Sequence, residues 1–311
     1  MCSRVSGSKV KIWLRLSSGA RIAADLFVDC SGFKGLLITE TLSEPFHPYR
    51  DNLFNDRAIA IPTPLADGED IPCETVSTAL RHGWAWQIPL TTRYGNGYVY
   101  SSDFVSDDEA ERELREHLGP AVEGAAARRL RMRVGRVKQH WRQNCVAIGL
   151  AQGFIEPLEA TALMLIQLSV EQLIAALEGD SFGRGRQAAY NERVNAMFEG
   201  VRDYVVAHYQ LNTRRDTDYW RANRANRNIS DRLASLLDVW DRGGDFEAEL
   251  ERHGAGLMYL RPSWYCLFAG MGRFPVELRA APQAVTAEVT RRRLADMARA
   301  FGSHHHELMG E

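Results

Sequence analysis

The stretch Gly153–Leu163, "GFIEPLEATAL", joins two differently patterned halves of a 311-residue chain. Before it the apolar residues mostly alternate; from Pro157 they recur at helical spacing. Pro157 suits the first turn of a helix, because its missing N–H would have no partner there. Leu158, Ala162, Leu163, Leu165, Ile166, Leu168, Val170, Leu173 and Ile174 then leave little polar face, which predicts a central, buried helix. A buried helix start exposes unpaired N–H groups and a partial positive charge of about half an elementary charge, to be met by a cap or an anion. Thr161 and Ala162 supply two of those N–H groups, and Glu159 brings a carboxylate able to accept a proton or orient a polar group. Glu156 and Glu159 also read as simple complements to the helix dipole. Just upstream, "NCVAIGLAQGF" (Asn144–Phe154) runs from strand to small-residue loop to helix, a geometry that often cradles a nucleotide phosphate.

Moving toward the N-terminus, "KVKIWLRL" alternates Val10, Ile12, Leu14 and Leu16, and "SSGA" follows as a turn. This predicts a hairpin whose second arm lies in Arg21–Cys30. "DLFVDCSG" reads as a buried strand ending at Ser31-Gly32, where a glycine lets the backbone approach a ligand closely. "RAIAIP", "CETVSTAL", "GWAWQIPL" and two arms, "RY" and "YVYSS", around a Gly95-Asn96-Gly97 turn predict a mostly antiparallel sheet over Arg57–Ser102. Ser106 with Glu109 forms a capping box, opening a helix to about Leu118 that Gly119-Pro120 stops. "RLRMRVGRV" and "NCVAIGL" are further strands. Helical patterns fill Pro157 to about Ala207, with a break near Gly179–Gly185, then Asp231–Glu251 and Val285–Phe301. The fold class is mixed α/β (α+β), an antiparallel sheet followed by a helical region, divided at 1–160 and 161–311.

Composition narrows the function. With 45% hydrophobic and 25% charged residues the chain can bury a core, and a net charge of −2 with pI near 6.5 gives nucleic acid no basic surface. Five scattered cysteines without a C-x-x-C pair argue against a disulfide framework and against zinc, and fit a reducing cytoplasm. Adjacent His304, His305 and His306 cannot easily converge on one ion, so no metal site is expected. Gln167, Ser169, Glu171 and Gln172 interrupt the apolar run Leu163–Leu177, so it is not read as a membrane span.

Three segments in order carry a family resemblance. "GWAWQIPL" (Gly83–Leu90) resembles the W-x-W-x-I-P element of flavin-dependent tryptophan halogenases. "DLFVDCSGFKGLLI" (Asp25–Ile38) is similar to their second flavin segment, and "VAIGLAQGFIEPLEATAL" (Val146–Leu163) to their flavin and halide segment. "HYQLNTRRDTDYWRANR" (His208–Arg224) and "SWYCLFAGMGRFP" (Ser263–Pro275) resemble the family's helical substrate side. The resemblance implies a flavin monooxygenase/halogenase-like fold and a reaction in which FADH2, oxygen and a halide yield hypohalous acid, which halogenates tryptophan or another indole. It also implies FAD as cofactor and a separate flavin reductase, and leaves a homodimer open.

Residue by residue, Glu159 matches the catalytic glutamate, and Thr161 and Ala162 match the pair whose N–H groups bind halide. Leu150 and Leu163 match positions lining the flavin, and Asp29, Gly32 and Gly153 match backbone beside it. Trp84 and Trp86 match the wall between flavin and substrate; two apart on a strand, they share a face, with core packing as the alternative reading and an equal one for Trp86. Ala160 stands where the family usually has serine, and Ala162 where it has glycine.

The family's G-x-G-x-x-G turn and its lysine have no counterpart: "GNGYVY", "GRGRQA" and "GAGLMY" lack the third glycine, and Lys9, Lys11, Lys34 and Lys138 fall elsewhere. The resemblance therefore implies a chain truncated at the N-terminus, an incomplete halogenase inactive by itself. A flavin-dependent aromatic monooxygenase and an inactive fragment serving at most as an interaction module are the competing expectations.

Overall fold

The computed structural model describes residues 2–3, 13–66, 71–178, 184–275, 287–299, 301 and 304. Lys9, Val10, Lys11, Ile12, His305 and His306 lie outside them, as does 179–183 in the helical break. At the N-terminus β1 (Cys2–Ser3), β2 (Trp13–Arg15) and β3 (Arg21–Ile22) form a small antiparallel sheet, with Leu14 opposite Ile22 as the hairpin pattern requires. The expected second arm divides, however. Its distal part is β4 (Phe27–Asp29), which leaves the hairpin to pair in parallel with β14 (Cys145–Ala147), itself flanked by β13 (Trp141–Arg142). Asp29 draws it there: its buried carboxylate accepts the N–H groups of Leu37 and Ile38, both at 2.8 Å, and so caps the following helical turns. Val28 faces outward at 48% exposure, so β4 is anchored at one end and not buried along its length.

The alternating region builds a six-stranded antiparallel sheet in the order β11 (Arg128–Arg131), β6 (Arg57–Ala60), β10 (Arg93–Tyr100), β9 (Gly83–Pro89), β8 (Val76–Ala79), with β7 (Thr63–Pro64) also on β10. Period-two alternation gives it two buried faces. Ile59, Ala85, Tyr98 and Tyr100 pack on Ala110 and Leu114 of α1 (Asp107–Leu118), whose capping box is Ser106 with Glu109. Ala58, Trp84 and Val99 face the helical core.

The Gly95-Asn96-Gly97 turn does not exist: these residues run through the middle of β10, and the chain reverses at Leu90–Arg93. Asn96 is buried, its amide donating to Thr63 Oγ1 at 2.8 Å, while Gly97 lies under the Trp86 indole, where a Cβ would come within 2.0 Å of the ring. The glycine is there for close packing, not for a bend.

A third small sheet joins β5 (Phe46–Pro48), β12 (Gly135–Val137) and β15 (Gly153–Phe154). Helices follow: α2 (Thr161–Leu177), α3 (Arg184–Leu211), α4 (Asp218–Ala225), α5 (Asp231–Asp241), α6 (Phe246–His253), α7 (Arg261–Gly270) and α8 (Ala287–Ala298). Trp220 and Trp264 are buried and Trp240 packs against the same core, so these tryptophans are framework. The long α3 is the axis, with Val194, Phe198, Val201 and Val205 all buried.

Helix α2 is not central. Only Thr161, Leu165, Ser169 and Leu173, one ridge at four-residue spacing, are buried, whereas Leu163 is 73% and Ile174 53% exposed. An all-round apolar composition states what a helix can bury, but not how many neighbours it has. Among the described residues, Leu158–Leu177 is the one helix long and apolar enough to cross a membrane, with mean hydropathy 1.6.

Candidate functional site

Between β15 and α2 the backbone makes an unusual approach. Leu158–Ala160 forms a single tight turn in which Glu159 (φ 60°, ψ 24°) and then Ala160 (φ 53°, ψ 27°) are left-handed. Each costs about 1–2 kcal/mol for a residue with a Cβ, and such strain concentrates at functional sites. No side chain caps α2, so its first N–H groups stay available.

The two glutamates part company here. Glu156 is fully buried: Oε2 accepts from Asn55 Nδ2 at 2.6 Å, and Asn55 in turn meets the Tyr209 hydroxyl at 2.8 Å and that of Tyr219 at 2.9 Å. The Trp84 indole N–H faces this carboxyl but falls short of hydrogen-bond geometry. Burial raises the Glu156 pKa, favouring the protonated acid. Glu159 instead turns outward, its side chain 48% exposed, onto a cavity of about 480 Å³ that Tyr204, His208, Ser263, Cys266 and Met271 also line. That volume suits a small aromatic molecule.

His208, one turn beyond Tyr204 on α3, faces Glu159 with Nε2 3.6 Å from Oε1, and its Nδ1–H donates to the Tyr204 carbonyl at 2.9 Å. The imidazole holds the Glu159 carboxyl below the usual carboxylate range, against the opposite pull of burial. Tyr204 stacks on Tyr259 with ring centroids 3.8 Å apart, and Trp264 closes its other side at 5.0 Å. Burial pushes the Tyr204 hydroxyl up to about 12. Reading the sequence alone misses His208 as a partner of Glu159, since the contact spans 49 positions of chain; the four-residue spacing Tyr204–His208 was the only local signal.

Around the head of α2 a second, far smaller cavity of about 10 Å³ is lined by Gly149, Leu150, Gln152, Gly153 and Ala162. It is on the scale of a single water or monatomic ion. The buried Gln152 Oε1 is without a partner among the described residues. Thr161 is buried beside it, its hydroxyl donating to the Glu156 carbonyl at 3.1 Å. The small cavity thus gathers Leu150, Gly153 and Ala162, with Thr161 buried next to Ala162 at the start of α2, while Leu163 projects outward.

Gly32, at φ 76° with open space where a Cβ would be, sits in the turn Gly32–Lys34 that packs on Gly149–Ala151. Asp29 and Gly153 have internal reasons for their identities: the former caps backbone, and a Cβ on the latter would lie 2.5 Å from the Gly135 carbonyl. Trp84 and Trp86 do share a face, with ring centroids 6.1 Å apart. Trp86 nonetheless lines another cavity, of about 630 Å³, with Val76, Tyr94 and His117. Among the described residues no group of three or more His, Cys, Asp or Glu could hold a metal ion.

A family model described as tryptophan halogenase matches residues 4–287. The chain is 44% identical over 220 residues to tryptophan 6-halogenase SttH of Streptomyces toxytricini, covering 70% of this chain and 42% of that one. It is 37% identical over 280 residues to tryptophan 7-halogenase RebH of Lentzea aerocolonigenes, covering 84% and 51%. Among solved structures, BrvH, a flavin-dependent halogenase from Brevundimonas sp. BAL3, superposes with TM-score 0.85 at 35% identity over 99% of this chain and 63% of that chain. The flavin-dependent halogenase Xcc4156 from Xanthomonas campestris gives 0.87 at 32% identity, over 99% and 62%. The chain spans about half the length of the curated relatives it matches. With the family model running from residue 4 past α7 to residue 287, the chain belongs to the tryptophan halogenase family.

Proposed function

We propose that this chain carries the halide-binding and substrate-side portion of a flavin-dependent halogenase acting on tryptophan or another indole. The observation that carries the reading is the strained head of α2, which puts the Glu159 carboxylate on a ligand-sized cavity and the α2 N–H groups beside an ion-sized one. The residues present fit a flavin: Leu150 (38% exposed) and Leu163 offer apolar surface to a flat ring, and Gly32 leaves room for close backbone approach. FAD, reduced to FADH2 by a separate flavin reductase, would supply with oxygen the oxidising power that turns halide into an electrophile.

The protein's own part is positioning and proton transfer. Thr161 and Ala162 hold the halide through backbone N–H groups and the helix dipole, a role that needs no glycine at 162. Asp29, Gly32 and Gly153 keep the flavin-side backbone in place. Trp84 and Trp86 keep water and substrate from the flavin. The indole lies in the cavity beside Tyr204, and Glu159 accepts the proton the ring loses on halogenation. Residues 1–160 then carry the flavin side and 161–311 the substrate side. The relatives and the scattered free thiols favour a cytoplasmic location.

The test is product analysis with tryptophan, bromide, FAD and a flavin reductase. It is run on the 311-residue chain and on a chimera in which the chain replaces the matching part of the Streptomyces toxytricini relative. Brominated indole from the chimera, lost in Glu159→Gln, supports the reading. Hydroxylated product alone, or undiminished bromination in the variant, overturns it.

A further inference from the structure

We propose that His208 is a positioning residue for Glu159: its imidazolium forms an ion pair with the carboxylate, which keeps that carboxylate ionised and aimed into the cavity. The proposal rests on the halogenase reading for its consequence but on geometry for its existence. A carbonyl oxygen can only accept, so the 2.9 Å contact with the Tyr204 carbonyl requires the hydrogen on Nδ1 of His208. Nε2 is thereby left to face Glu159 Oε1, 3.6 Å away. Were the imidazole neutral and the carboxyl ionised, a lone pair would oppose a negative charge; a proton on Nε2 removes the conflict and makes the contact an ion pair.

The ring has little freedom to turn away. Tyr204 meets its edge at 5.0 Å, and the imidazole side chain is only 14% exposed. Glu159 is equally committed, since its left-handed backbone and that of Ala160 direct the side chain off the axis of α2 toward α3. Among the described residues, the other ionisable groups about the pair are Glu156, Tyr204, Tyr259 and Cys266, and none is a cation. His208 is therefore, among the described residues, the cation placed to neutralise the carboxylate.

In the halogenation step the ring C–H bond breaks, its electron pair returns to the ring, and the proton goes to Oε2 of Glu159 while Oε1 stays with His208. The half-exposed carboxyl then releases that proton to solvent. No further oxidant or reductant enters.

The experiment is a 13C NMR titration of glutamate carboxylates in the 311-residue chain, with the Glu159 signal assigned from its loss in Glu159→Gln. In His208→Gln the Glu159 midpoint should rise by about one pH unit, a tenfold change in proton affinity. His208→Lys, which restores a cation, should bring it back down. An unmoved midpoint in His208→Gln overturns the proposal, provided an unchanged circular dichroism spectrum shows that the fold persists; if Gln unfolds the chain, the Lys and Asn variants give the same comparison. In the active chimera the acid limb of the rate profile should move up by the same amount, whereas a merely structural role would lower the rate at every pH. Coupling seen by NMR with no halogenation from the chimera would sink the functional reading and leave the pair intact.

Discussion

At the scale of single residues, the two glutamates three apart show how position decides chemistry. Glu156 and Glu159 have the same side chain, yet one is sealed behind Asn55, Tyr209 and Tyr219 and the other opens on a cavity beside His208. Since burial favours the neutral form of Glu156, Glu156→Gln mimics the state already present, and its unfolding free energy at pH 7 should stay within about 1 kcal/mol of the parent. Glu156→Ala removes one of the two acceptors of the Asn55 amide, leaving only the Tyr209 hydroxyl, and should lose about 1–3 kcal/mol in urea denaturation. Equal losses for both variants would mean that the carboxyl is ionised in the fold. Glu159 was legible as a candidate because an acid after proline at the head of an apolar helix is conspicuous. Burial of Glu156 was not, because what surrounds it comes from residues 55, 84, 209 and 219.

At the scale of elements, local signals with a local cause survived folding. The capping box at Ser106 and Glu109 and the stop at Gly119 lie where the pattern put them, since every group involved is within four residues. Gly95-Asn96-Gly97 misled because the same residues suit a tight turn and a crowded strand centre, and the Trp86 ring across the ladder selects the strand. The orientation of α2 is open to a direct check. Leu165 is 2% exposed and Leu163 73%, so Leu165→Ala should cost about 2–5 kcal/mol, while Leu163→Ser should change stability by no more than about 0.5 kcal/mol. Comparable losses at both positions, measured by chemical denaturation, would place α2 at the centre after all.

For the molecule as a whole, one core runs from the sheet through α3 to α7: Trp84 and Val99 belong to the same cluster as Val205 and Trp264. Within it sits His140, fully buried, stacked on Phe198 with centroids 5.2 Å apart and meeting Asn195 Oδ1 at 3.2 Å. Burial, helped by nearby Arg136, lowers its pKa to about 3 from 6.5. The folded chain keeps this imidazole neutral while the unfolded chain protonates it below pH 6.5, so the unfolded state binds more protons throughout the window down to about 3. Stability should therefore fall as pH drops, by roughly 2 kcal/mol from this group between pH 6.5 and pH 5. His140→Phe should flatten that part of the stability profile; a slope identical to the parent's would assign the acid sensitivity to other groups.

From the sequence by itself came a strand-rich half followed by a helical one, the capping box at Ser106, the family and Glu159 as a candidate, because each is written in neighbouring residues or in an ordered set of motifs, although α2 begins at Thr161 and not at Pro157. Tertiary structure alone decided which glutamate is sealed, that Asp29 turns inward, that α2 shows an apolar face outward, and that His208 stands opposite Glu159. Those outcomes depend on contacts between segments tens of residues apart, and local periodicity carries no information about what such a segment will meet.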